Sequence, residues 1–182
     1  MAVDRVEKRL RQVTLALDGA GILYAVIGGN AVAIWVGRVN RSATRATKDV
    51  DLLVRRSDLD QITQVMQALN FQREDLRNPV FFLDPDEPDR RSGVHLVWAE
   101  ELVRPSYQAP APSVKEAVRD PEGFLVLGLP ALVRMKLTSN RPIDQVHIAD
   151  MVDVGLIDEA VRSSLPAELQ SRLAQIEAAM EE

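Results

Sequence analysis

The residues of this chain best suited to chemistry are Asp49 and Asp51, in the segment Thr47-Lys48-Asp49-Val50-Asp51-Leu52. Side chains alternate along a strand, so both carboxylates face the same way, about 7 Å apart. Two acids on one face repel each other and lose hydration, which is costly unless a cation lies between them. Hard oxygen donors of this kind suit Mg²⁺ or Mn²⁺, whose coordination is normally completed by phosphates and water. Upstream stands the pair Gly28 and Gly29. Glycines at a helix start leave backbone N–H groups open to close approach by a triphosphate. Between the two motifs, Arg38, Arg41, Arg45 and Lys48 place four bases within eleven residues, interleaved with Ser42, Thr44 and Thr47. Such a segment offers an anion both charge and hydroxyl donors. Read without a ligand, the same residues fit acids that end a loop or cap a strand, and bases that balance surface acids.

Composition narrows what the acid pair can serve. The 182 residues contain no cysteine, which excludes disulfides, thiol catalysis and cysteine-ligated metals and suits a reducing compartment. With only two histidines, His95 and His147, a metal site built mainly on imidazole is not expected. A net charge of −5 argues against nucleic-acid binding driven by overall charge, so phosphate chemistry must rest on a local cluster. The longest nearly apolar stretch, residues 24–37, is shorter than the roughly 20 residues of a spanning helix. The N-terminal residues carry both signs of charge and no apolar core of a signal peptide, so the expected location is the cytoplasm, away from membranes.

Periodicity supplies the elements that must position these groups. Val6, Leu10, Val13 and Leu17 mark an amphipathic helix over residues 3–18, ended by Gly19 and Gly21. Residues 22–27 form a continuous apolar run, read as a strand buried on both faces. A short buried helix is expected over 30–36, a polar loop over 37–47, and a second strand over 49–54. Ser57 or Asp58 is expected to cap a helix reaching about Leu69. Residues 80–83 and 94–98 read as a hairpin with a long acidic turn. Residues 104–113, with three prolines, read as a surface connection, and helices follow over 130–137, 143–154, 158–163 and 167–180. Trp35 and Trp98 read as core anchors, and Arg55 with Arg56 as a solvated pair. Strand–helix alternation followed by helices gives an α+β protein: an α/β core over 1–128 and a C-terminal helical extension over 129–182.

The order of apolar strand, glycine pair, short helix and Asp-hydrophobic-Asp resembles the nucleotidyltransferase superfamily, the polymerase-β-like fold. The wording Ile-Gly-Gly-Asn-Ala-Val-Ala, then Arg-Ala-Thr-Lys-Asp-Val-Asp-Leu-Leu-Val, is most similar to the branch holding AbiEii-type toxins. The resemblance is strong over residues 20–70 and weaker over 93–150. It implies a mixed sheet flanked by helices, Mg²⁺ or Mn²⁺ on Asp49 and Asp51, and an NTP as substrate. Gly28, Gly29, Thr47 and Lys48 would cradle phosphates; Lys136 and Arg141 would meet them, with Asp144 orienting one of the two. The acceptor would be a hydroxyl of an RNA, a protein or a small molecule, and the branch implies a cognate antitoxin. From the residues alone, Asp144, His147 and Asp150 fall near one helix face.

Two departures stand out. Nineteen residues separate the glycine pair from Asp49, more than is usual in the superfamily. The superfamily also places a third carboxylate on a neighbouring strand, and the matching position here is His95, with Glu100 and Asp84 as substitutes to consider. Imidazole can ligate a metal or act as base but lacks a carboxylate's charge. Two further readings follow: a nucleotide-binding or regulatory protein without transfer activity, and a structural module whose acids only cap strands.

Overall fold

The computed structural model describes residues 2–75 and 80–181. Helix α1 (Ala2–Gly19) leads into strand β1 (Tyr24–Val26) and helix α2 (Gly28–Val39). Then come β2 (Val50–Val54), α3 (Leu59–Ala68), β3 (Gln72–Asp75), β4 (Val80–Leu83) and β5 (Val94–Trp98). β6 (Ala117–Arg119) and β7 (Leu125–Leu127) complete a seven-stranded sheet of order β3-β4-β5-β2-β1-β7-β6. The chain ends in helices α4 (Leu129–Ser139), α5 (Pro142–Asp153), α6 (Glu159–Ser163) and α7 (Ala167–Met180). β2 with β5 and β1 with β7 are parallel; the other neighbours are antiparallel. This is a mixed α/β fold, with the hairpin expected from residues 80–83 and 94–98 in place as β4 and β5.

The apolar patterns explain the layers. Val6, Leu10, Val13 and Leu17 are all buried, so α1 lays one stripe on the sheet. β1 and β2 are buried almost throughout, because helices and sheet neighbours cover both faces. The core continues without a break into the C-terminal helices through Leu132, Leu137, Ile148, Met151 and Leu169.

Several local expectations change. α2 begins at Gly28 itself and runs to Val39, three residues beyond the expected end. Neither Ser57 nor Asp58 caps α3: the Asp58 carboxylate is taken by Arg55 Nε at 2.8 Å. Arg55 and Arg56 are not merely solvated, since Arg56 binds Glu101 and stacks over Trp98 at 4.4 Å. Of the two tryptophans Trp98 is buried, whereas Trp35 is half-buried and donates Nε1–H to Leu127 O at 2.9 Å. β3, β6 and β7 went unread because β3 is a polar edge and the other two are three residues long.

One buried cation ties the frame to the acid-bearing strand. Arg9, 2% exposed, donates Nε to Asp84 Oδ2 at 2.7 Å, Nη2 to Glu87 Oε2 at 3.0 Å and Nη1 to Lys48 O at 3.2 Å. It holds α1, the acidic turn and the residue preceding Asp49 together. Removing it strands the largely buried Asp84 carboxylate. Arg9→Ala should lower stability by about 3 kcal/mol, read as a fall in urea midpoint at unchanged slope.

Candidate metal and nucleotide site

Asp49 immediately precedes β2 and Asp51 is its second residue, beside the end of β1 and the start of α2. The Ile27 N–H, just past β1, donates to Asp51 O at 3.0 Å, and Asn30 Nδ2 in the first turn of α2 donates to Asp49 O at 2.6 Å. The start of α2 is thereby fixed against the acid pair. Gly28 makes this approach possible. Its φ is +67°, and a Cβ built there would lie 2.0 Å from Asp51 Oδ2 and 3.0 Å from Asp51 Cβ. Gly29 is nearly as tight, with a Cβ position 3.3 Å from Thr47 Oγ1. Thr47 in turn donates that hydroxyl to Asp49 Oδ1 at 2.8 Å, fixing the carboxylate's rotamer.

His95 joins the pair through strand register. β2 and β5 run parallel with Asp51 opposite His95, so the ring rises on the face that carries both acids. Its Nδ1 lies 3.2 Å from Asp51 Oδ1 and 3.7 Å from Asp49 Oδ2, while Nε2 donates to Arg90 O at 2.7 Å. Phe81 meets the ring edge-on, its centroid 4.7 Å away. A carbonyl only accepts, so Nε2 keeps its proton and any change of charge occurs at Nδ1. Burial works against the charged ring, but the bonds to Asp51 and Arg90 O and the charges of Asp51 and Asp49 outweigh it, and the pKa is raised. The shift favours the charged ring, and a charged ring relieves the repulsion expected between the acids. When neutral, the same Nδ1 presents a lone pair, and one donor atom from each of Asp49, Asp51 and His95 falls within 4.8 Å of the others. Two hard oxygens and one imidazole nitrogen fit Mn²⁺ well and Mg²⁺ through its carboxylates. The Arg90 carbonyl is the outer partner that fixes a ligating ring's tautomer.

Glu100 and Asp84 do not enter this cluster. Asp84 is held by Arg9, and Glu100, in a left-handed turn at φ 61°, accepts from Ser113 Oγ.

A second charged group faces the acids from the C-terminal helices. Asp144, fully buried at the start of α5, accepts from Lys136 Nζ at 2.8 Å, from Arg141 Nε at 2.7 Å and from Ser139 Oγ. Burial pushes its carboxyl up, but Arg141, Lys136 and Ser139 together hold it well below the ordinary range. Lys136 and Arg141 thereby reach the same space as the acid pair. A cavity of about 440 Å³ is lined by Gly28, Gly29, Thr47, both acids and His147. A neighbouring cavity of about 380 Å³ meets it at Gly28, Asp51, His95, Lys136 and Arg141.

Other expected residues divide. Lys48 is exposed and lines neither of these cavities; its carbonyl serves Arg9. Arg38 binds Asp120 and stacks over Trp35, whereas Arg45 lines the larger cavity and binds Asp150 through two bonds of 2.6 and 2.9 Å. His147 is buried, with Nδ1 unpartnered among the described residues; burial and the Lys136 charge push its pKa down to about 4. Sequence reasoning missed Asn30, Arg9 and the Arg90 carbonyl. Asn30, directly after the glycine pair, was the one with a local signal.

Three outcomes follow. Gly28→Ala should cost about 1 to 3 kcal/mol in thermal unfolding through its positive φ, and should weaken Mn²⁺ binding by displacing the Asp51 carboxylate. The metal affinity of the unmodified protein, followed by Mn²⁺ electron paramagnetic resonance, should fall as pH drops through the raised His95 pKa, because the proton competes for Nδ1. His147 acts on stability with its own sign: the unfolded chain takes up a proton near the ordinary 6.5 and the folded one only near 4. Stability therefore drops as pH falls through that interval, and His147→Gln should flatten the decline in a denaturant series.

No family model and no curated protein sequence matches the chain. Solved structures do. The solution structure of the antibiotic-resistance factor ANT(2'')-Ia superposes with a TM-score of 0.62 at 17% identity, covering 100% of this chain and 97% of that one. The crystal structure of ANT(2'')-Ia in complex with adenylyl-2''-tobramycin gives 0.54 at 16% identity, over 95% of this chain and 97% of that one. A Thermotoga maritima protein described as a nucleotidyltransferase gives 0.53 at 12% identity, over 84% of this chain and 96% of that one. The seven-stranded mixed sheet flanked by helices is the nucleotidyltransferase fold.

Proposed function

We propose that this chain is a divalent-metal-dependent nucleotidyltransferase that moves a nucleotidyl group from an NTP to an acceptor hydroxyl. The observation that carries the reading is the convergence of Asp49, Asp51 and His95 within 4.8 Å beside the open N-terminus of α2. Bound at these three residues, Mg²⁺ or Mn²⁺ supplies positive charge for the phosphates and for the charge that develops during transfer.

The chain's own residues do the rest. Gly28 and Gly29 present backbone N–H groups where no side chain blocks a phosphate. Thr47 holds Asp49 in place. Lys136 and Arg141, pre-oriented by Asp144, lie across the space from the acids and bring cations to the departing pyrophosphate without rearranging. As the acceptor oxygen bonds to the α-phosphorus and the bond to pyrophosphate breaks, one proton leaves the hydroxyl. With His95 Nδ1 committed to the metal and Nε2–H to the Arg90 carbonyl, that proton would pass to solvent water. The wording of the glycine and acid motifs extends this reading to a cytoplasmic toxin–antitoxin component with a cognate antitoxin.

A second reading is favoured by His95 itself. An imidazolium offsets one of the two acid charges but adds no anionic ligand, as a binding protein without turnover would tolerate.

Incubation with labelled NTPs, Mg²⁺ or Mn²⁺, and cellular RNA, protein and metabolite fractions separates the two. Label transfer should appear and should fall by at least about a hundredfold in Asp51→Asn, with the fold retained by circular dichroism. Metal-dependent NTP binding without transfer to any fraction assigns the protein to the second reading. His95→Asp, which restores three carboxylates, should tighten Mg²⁺ in either case.

A further inference from the structure

The smaller cavity has walls unlike those of its neighbour. Around the shared polar residues stand Trp98, Leu102, Val103, Tyr107 and Met135. Leu102 and Val103 are 50% and 39% exposed, apolar surface that a ligand would cover. Asp51 and Asp144 are the acids among its described lining residues, and both are engaged, the first by His95 and the second by Lys136 and Arg141. Arg104 also lines the cavity, its guanidinium 5.9 Å from the Tyr107 ring centre, and no carboxylate pairs with it among the described residues. The cavity therefore offers an aromatic and aliphatic wall, an uncompensated cation, and no spare carboxylate for an ammonium group.

From this lining we infer that the 380 Å³ cavity binds a small hydroxylated molecule with a flat apolar body and an anionic group, and discriminates against cationic ligands. The inference rests on the transfer reading only in calling that molecule the acceptor; the ligand class comes from the walls. Desolvated apolar area holds the body, as is usual in pockets of this size. Arg104 meets the anion, and the shared residues bring the hydroxyl end toward Asp51 and His95. The polar cavity beside it, with the glycine pair and Thr47, is left for the triphosphate. An amine at the ligand's far end would face Arg104 and lose hydration without gaining a partner.

The probes are 3-(4-hydroxyphenyl)propanoate and tyramine, which share a phenol and differ in the sign of their terminal charge. Calorimetric titration of the full chain, alone and saturated with Mg²⁺ and a non-hydrolysable ATP analogue, should show the acid binding more tightly than the amine. The acid should still bind in the nucleotide complex. Arg104→Glu, at an exposed position, should weaken the acid by about fivefold or more and relieve the exclusion of the amine. Equal or tighter binding of tyramine, or an acid affinity indifferent to Arg104→Glu, overturns the inference. Displacement of the acid by the nucleotide also overturns it, because the cavity would then take the base. Arg104-dependent binding of the acid in a protein that binds no nucleotide would sink the transfer reading and leave the ligand class standing.

Discussion

The site depends on one close approach, that of the Gly28 backbone to the Asp51 carboxylate. A helix start, a parallel strand pair and two acids can share so small a volume only because position 28 carries no side chain and accepts a left-handed φ. From that approach the rest follows. The open end of α2 points where phosphates would lie, Asn30 reaches the backbone of Asp49, and the β2–β5 register brings His95 over the pair. Shifting either strand by one residue would turn its groups to the opposite face.

Electrostatically the centre is two facing clusters of opposite net charge, anionic on the sheet and cationic on the helices. On the sheet, two carboxylates share one imidazole. On the helices, one buried carboxylate holds two cations and a hydroxyl. Charges held this way need little reorganisation when a ligand arrives, which is how preorganised sites gain their effect. In a chain of net charge −5, Lys136 and Arg141 are thus a local cationic cluster beside the acid pair.

How much could be read in advance differs from residue to residue. The shared face of Asp49 and Asp51 was legible because a strand's period of two is rigid, and the glycine pair because it leaves backbone N–H groups open ahead of a helix, although the helix start at Gly28 itself was not read. His95 was placed by strand alignment, but that its ring would bridge both acids depended on register between segments more than forty residues apart. Arg9 gave no sign, since an arginine on an amphipathic helix looks solvated until the turn at residues 84–87 closes over it. The apolar cavity was hidden for a related reason: residues 99–113 have no period, and tertiary packing decides that they and Met135 line one cavity. β3, β6 and β7 are stabilised by their neighbours more than by their own sequences.

The link between Arg45 and Asp150 bears on the larger cavity. Arg45 joins the segment after α2 to helix α5 in the lining of the larger cavity, and its own side chain is mostly exposed to water. Only the arginine side of this pair is solvated: the Asp150 side chain is 12% exposed, so an anion that draws Arg45 away leaves a largely buried carboxylate unpaired. A polyanion entering this cavity would have to compete with Asp150 for Arg45.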